Sequence, residues 1–349
     1  MRSRWERWRV CSVRAFSFIS FCGGGRVLAK NPTWRRPRVA LVVLAFGAIA
    51  AALAFMTIGV KGNWDFVLPF RSAKLLGLVL VAYAVATATV LFQTVTQNRI
   101  LTPAVMGFDS LYVALQTALV FFLGTRDLAS VDMRLRFVLE TLLMVGMSMA
   151  LFYWLFLSRQ RSLHLVVLAG VVCGVFFRSL AHMMQRILDP NEFIALQDML
   201  FASFNSIDQQ LLAVSAVIVL ATAFVSRRLL TKLDVLALGR DVAINLGIDY
   251  QRVVLLLFAM IAVLVSVSTA LVGPITFFGL LVANLAYQAV GTDRHKYTLP
   301  AATLLAIIAL VGGQTVLERV FGFDTALSII IEFTGGIAFM LLLYRNLRR

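Results

Sequence analysis

Charge is what this chain has least of. Only 14% of its 349 residues are Asp, Glu, Lys or Arg, where a soluble domain carries about a quarter. Between Val253 and Thr292 there is none at all. No soluble fold tolerates such a run, so a globular enzyme is excluded. Acid is scarcer than base, with 17 Asp and Glu against 32 Lys and Arg. Cysteine is scarce as well: Cys11, Cys22 and Cys173 are odd in number and widely spaced, which excludes a disulfide framework or a zinc ribbon. His164, His182 and His295 lie in separate segments without ligand spacing, so no metal site is expected. The chain has no GxxxxGK[ST] phosphate loop and therefore no ATPase centre of that kind. No cofactor is called for.

What is present is apolar. The chain is 60% hydrophobic, and long apolar runs without strict alternation select helices over a barrel in lipid. An all-α polytopic membrane protein of about ten transmembrane helices follows. Charge gaps place the spans at Val39–Gly59, Leu75–Asn98, Leu101–Gly124, Phe137–Leu157, Leu163–Met184 and Gln209–Ser226. A span needs about 20 apolar residues, so the uncharged run is read as the seventh and eighth, joined by a turn at Gly273-Pro274. Tyr297–Leu317 and Ala326–Tyr344 complete the set.

The net charge of +15 is unevenly placed. Residues 1–38 hold ten Lys and Arg against Glu6 alone. They are read as a basic, cytoplasmic N-terminal extension, disordered or loosely membrane-associated, ahead of a permease-sized membrane domain over 39–349. A weak signal-peptide-like core over Ser12–Gly25 is interrupted by Arg14, and a mis-assigned start is equally compatible. No nucleic-acid-binding fold follows the arm, so nucleic acid is not expected as a partner. With both termini inside, thirteen further Lys and Arg fall on the cytoplasmic side and nine outside, the direction of the positive-inside rule.

Two breaks look alike. Thr102-Pro103 follows the second span with Gly107 close behind, and Gly273-Pro274 follows the seventh with Gly279 close behind. Proline interrupts the helical ladder. Paired breaks in two halves of a transporter hint at an internal repeat, although two unrelated loop prolines fit the spacing equally well. In the longest inner loop, LALGRDVAINLGIDYQR, Leu238, Val242, Leu246 and with them Ala243 are placed on one helical face, away from Arg240, Asp241 and Asn245. Gly239 and Gly247 bracket about two turns, too short to stand alone in water. The segment docks either on the protein's own inner face or on a cytosolic partner.

Here the sequence resembles the permease subunits of iron-siderophore and cobalamin ABC importers, the FecCD-type family. Their LGxxxAxxLG loop is matched by Leu238, Gly239, Ala243, Leu246 and Gly247. Their GPIxFxGLxxP segment is matched by Gly273, Pro274, Ile275, Phe277, Gly279 and Leu280. An early NPLAxPxxLG segment survives as Asn98, Leu101, Pro103 and Gly107. Where many relatives read Pro-His, this chain has Ala283-Asn284, a variant similar to catecholate-siderophore permeases that work beside a different second permease.

The resemblance implies a type II ABC importer fold carrying a ferric chelate across the bacterial cytoplasmic membrane. It implies cytosolic ATPase subunits docked on the loop around Arg240 and Asp241, and a second permease, in a heterodimer rather than a homodimer. It also implies a periplasmic or lipid-anchored binding protein, met by Arg71 and Lys74 at the outer end of the second span. Pathway or gate positions are Asn98, Pro103, Gly107, Gly273, Pro274, Phe277, Gly279, Asn284 and Glu332. Asp109 is expected to cap a helix, and Glu332 to face the cavity or the subunit interface. Met199–Phe204 loosely matches the family's outer segment. A secondary transporter, a zinc/manganese-type ABC permease, which would carry His-rich segments, and a non-transporting scaffold remain the competing readings.

Overall fold

Eleven α-helices and one 3-10 turn are delimited among the residues that this computed structural model describes, 37–58, 64–157, 163–200, 204, 209–320, 327, 329–333, 335–337 and 340. All described residues fall within one unit, Arg36–Arg349. The N-terminal extension lies outside them up to residue 36, and the last expected span, Ala326–Tyr344, is described only at its helical residues 327, 329–333, 335–337 and 340.

The helices are α1 (Pro37–Thr57), α2 (Trp64–Thr96), α3 (Phe108–Ser130), α4 (Met133–Leu157), α5 (Leu163–Ile187) and α6 (Pro190–Leu200). They continue as α7 (Gln209–Leu236), α8 (Arg240–Asn245), α9 (Tyr250–Val272), α10 (Phe278–Val290) and α11 (His295–Val320). The 3-10 turn, Ala104–Met106, precedes α3. By length and composition, 8 of the helices are able to cross a membrane.

Helices α2 and α9 form the centre. Their apolar windows are 67% and 72% buried, whereas that of α1 is 17% buried and is left for lipid or a partner to cover. Aromatic stacking ties α9 to α4: Phe258 lies on Phe152 with centroids 4.2 Å apart. Where backbones approach closely, side chains vanish, the usual solution in membrane bundles. Gly107 faces Gly174 of α5, and a Cβ on Gly279 would run into Thr89 of α2.

Two expectations are refined. The uncharged run is α9 and the 13-residue α10, joined at the Gly273-Pro274 break. Helix α10 is about 20 Å long, shorter than a ~30 Å hydrocarbon layer, and it returns the chain to His295, beside Asp234 at the end of α7. Gly273 closes α9 by donating to Thr269 O at 2.7 Å; residues 274–277 are non-helical, and Gly291 already turns the chain. The sixth span, in turn, does not stop at Ser226. Helix α7 continues through Arg227, Arg228 and Lys232 to Leu236, because charge gaps report only the part inside hydrocarbon. Its 28 residues run about 42 Å, so the basic last turns project beyond the apolar layer.

Candidate functional site

At the end of α7 the chain turns through Gly239 (φ 113°) into α8 and leaves it through Gly247 (φ 81°). Both angles suit glycine and strain other residues. Between them, Leu238, Val242 and Leu246 point outward with 62%, 42% and 61% of their surface exposed. Ala243 is fully buried. The expected grouping is therefore corrected for Ala243: it anchors α8 to the bundle, and the three larger side chains form a separate apolar ridge. Arg240 and Asp241 flank that ridge and are not buried, with the Arg240 guanidinium over the Tyr250 ring at 5.8 Å. Asp249 caps α9 by accepting from Arg252 N at 3.2 Å, which fixes the exit from the α8 turn.

A polar hub stands behind α8. The buried ring of His295 places Nδ1 2.7 Å from Asp234 Oδ1 of α7 and Nε2 2.7 Å from Thr94 Oγ1 of α2. The turn after α2 is held just as tightly. Gln97, at φ 51°, donates its side-chain amide to Leu236 O, and Gln93 donates to Arg99 O. Asn98 accepts from Ile100 N, a local turn bond. Asn284 of α10 donates to Arg99 O at 3.2 Å. The Arg99 guanidinium bonds Asp293 at 2.6 Å and lies over Tyr287 at 4.4 Å. Asn284 is thus a clamp on the first break.

The two breaks meet. Thr102, Pro103 and Asp109 from the first, and Gly273, Ile275, Thr276 and Gly279 from the second, line one cavity of about 30 Å³. Pro274 lies between two of these residues. Phe277, by contrast, is 54% exposed on the bundle's outer surface. Glu332 accepts a 2.6 Å bond from Thr276 Oγ1 and is half-buried. Asp109 is corrected too: Gly107 occupies the cap position of α3 and no side chain caps it, while Asp109 sits buried in the first turn.

The outer-end cations depart from expectation. Lys74 is 6% exposed and bonds Glu318 at 2.6 Å. The Arg71 guanidinium donates to the carbonyls of Phe55, Met56 and Ile58 at the end of α1. A buried, paired Lys74 is not available to an acidic partner, so it is removed from the docking pair. The 11-residue helix α6 covers residues 190–200 of the polar stretch. Of the Met199–Phe204 match, residues 201–203 lie outside the described residues, and Phe204 is buried.

The sequence profile of the FecCD transport family matches residues 38–345. The chain belongs to this family. It is 45% identical over 304 residues to the petrobactin import system permease protein YclO of Bacillus subtilis, covering 86% of this chain and 96% of the relative. It is 36% identical to the petrobactin import system permease protein FatC of Bacillus anthracis, covering 79% and 78%. Among solved structures, an inward-facing putative metal-chelate type ABC transporter superposes with a TM-score of 0.78 at 21% identity, over 88% of this chain and 99% of that one. That likeness carries the fold. Within the FecCD frame, the ridge on α8 and the cavity between the breaks fall on the two family motifs. The Asp234–His295–Thr94 hub does not, and sequence reasoning passed over it because its members lie in three segments up to 201 residues apart. The only signal was the polar cluster Asp293-Arg294-His295-Lys296, which closes the uncharged run.

Proposed function

We propose that this FecCD-family chain is the permease subunit of an ATP-driven importer that carries a ferric siderophore across the bacterial cytoplasmic membrane. The observation that carries this reading is the apolar ridge of Leu238, Val242 and Leu246, held in water beyond the end of a helix about 42 Å long. Three exposed apolar residues on a rigid short helix, anchored from behind by buried Ala243, suit insertion into a groove on another subunit. A separate cytosolic ATPase is that subunit in this reading, and its closure moves α8 and rocks the bundle as a rigid body. The α8 end is then cytoplasmic. The start of α1 shares that end, because Ile58 beyond its other terminus accepts a bond from Arg319 at the far end of α11.

The names of the relatives at 45% and 36% identity support an iron-chelate cargo. A cavity of about 30 Å³ is an order of magnitude below the ~300 Å³ of small-molecule sites. The cargo path in this reading therefore runs along a face of the chain, completed by a second permease. The exposed apolar faces of α1 and α5 supply the remaining contacts with that subunit and with lipid. A binding protein delivers the chelate at the Arg71 end.

The test is uptake of radioactive iron, as its petrobactin chelate, into proteoliposomes holding the permease, its partner permease and the ATPase, with binding protein outside. The expected result is uptake that needs hydrolysable ATP inside. Equal uptake by the purified chain without an ATPase would overturn the proposal and favour a secondary transporter.

A further inference from the structure

Asp109 Oδ2 is buried and has no hydrogen-bond partner. The residue is 7% exposed and lines the cavity between the two breaks. Hydroxyl-bearing Thr89, Thr102, Ser268, Thr269 and Thr276 line the same cavity. Two of these hydroxyls direct their protons elsewhere: Ser268 donates to Val265 O at 2.9 Å and Thr276 to Glu332 at 2.6 Å. Their lone pairs stay available. The carbonyl end of α9 also arrives here at Gly273, and Pro274 has no N–H with which to cap it, so backbone oxygens join the hydroxyls. The amino end of α3 favours the ionised form of Asp109, which lies in its first turn.

Charge balance adds a second argument. The charged groups that act on Asp109 are Arg178 and Glu332, and Arg178 Nη2 also reaches Ser110 Oγ at 3.4 Å. Among the described residues, two carboxylates against one guanidinium leave a net negative charge that the amino end of α3 offsets only in part. Such a charge is costly unless paired.

We propose that this cavity binds one small monovalent cation, held by Asp109 and the hydroxyls of both breaks. Oxygen donors of this kind select hard cations. A single carboxylate facing the site argues against calcium, which gathers several, and against magnesium, which keeps its water. A volume of about 30 Å³ exceeds the ~10–15 Å³ that one water needs, so it admits a small ion. Once bound, the cation joins the 102–109 segment to the 273–279 segment, so the two interruptions of the bundle act as a single hinge. This site is independent of the cargo and of the ATPase.

The test is the melting temperature of the purified full chain in detergent, in sodium, potassium and choline chloride at equal ionic strength. Sodium or potassium is expected to raise melting by a few degrees over choline, the size that ligand linkage gives a chain of this length. Asp109→Asn removes the uncompensated charge, so it melts at or above the wild type in choline while losing the cation increment. Should that variant fail to fold, Ser268→Ala removes one neutral donor and is expected to weaken the apparent affinity about tenfold. Identical melting of the wild type in all three salts overturns the proposal, as does an increment that survives in Asp109→Asn.

Discussion

His295 bonds Asp234 twice, through Nδ1 at 2.7 Å and through its backbone N–H at 2.8 Å. Asp234 lies two residues before the end of α7, and α8 begins just beyond. The other ring nitrogen reaches Thr94 near the end of α2, where the first break begins. One imidazole therefore connects the segment that carries the apolar ridge with the segment that opens into the cavity. A displacement of α8 has a packed, hydrogen-bonded route to the hinge.

Replacing His295 with alanine removes both ring bonds, while Asp234 keeps the backbone N–H of residue 295 and water, and Thr94 still donates to Val90 O. We expect a loss of about 0.5–1.5 kcal/mol, that of ordinary hydrogen bonds. More telling is the ratio of ATP hydrolysed to iron imported in the reconstituted transporter, which should rise in His295→Ala and partly recover in His295→Asn. An unchanged ratio in a variant that merely melts earlier would show that the ring is structural and transmits nothing.

The ridge on α8 invites a cleaner separation of folding from assembly. Leu238 and Leu246 are 62% and 61% exposed, so Leu238→Asp and Leu246→Asp leave the bundle's packing untouched and should shift stability by less than about 0.5 kcal/mol. Co-purification of the ATPase in mild detergent should fall sharply. Substituting Gly239 or Gly247 is a poorer test, because φ values of 113° and 81° make any side chain there cost about 1–3 kcal/mol on its own. Retention of the ATPase by the double aspartate variant would refute the docking role.

Lys74 and Glu318 are 6% and 9% exposed at the far end of the bundle. Lys74→Ala removes the counter-ion of a buried carboxylate that Gln314 also contacts, and breaking such a pair costs about 3–5 kcal/mol. Replacing both, as Lys74→Met with Glu318→Leu, should recover most of that loss. Melting of the single and double variants reads the effect directly. Binding-protein affinity should be the same for the double variant and the wild type, which separates this pair from a docking cation.

Much of this arrangement was legible in the residues. Hydrocarbon thickness filters composition, so charge gaps located the spans, and glycine and proline located both interruptions and the α8 turn. Burial direction was harder. Leu238 and Leu246 read correctly as a face, but Ala243 is small enough to sit on either side, and only packing against the bundle decides. Lys74 read as a free cation for a binding protein because Glu318, its partner, lies 244 residues away. Length was not legible at α10, where an uncharged sequence permits a full-length helix and Gly291 ends it after 13 residues. The convergence of Thr102-Pro103 and Gly273-Pro274 on one cavity is a tertiary fact, suggested by their likeness and decided by how α2 and α9 pack.

Two glycines one turn apart on α5 make opposite demands, and the contrast tests how the first break is held. A Cβ on Gly174 would lie 2.7 Å from Gly107 Cα, a backbone atom of the turn that starts α3. A Cβ on Gly170 would lie 2.6 Å from Met106 Cε, the far end of a flexible side chain. Backbone cannot step aside without moving the break, so Gly174→Ala should destabilise the protein by about 1–3 kcal/mol, as overpacking does. Methionine adapts by rotating, so Gly170→Ala should cost well under half as much. Thermal melting of the two variants side by side gives the order. If Gly170→Ala proves the worse, the close approach of α5 to the break at Gly107 is not what fixes the start of α3.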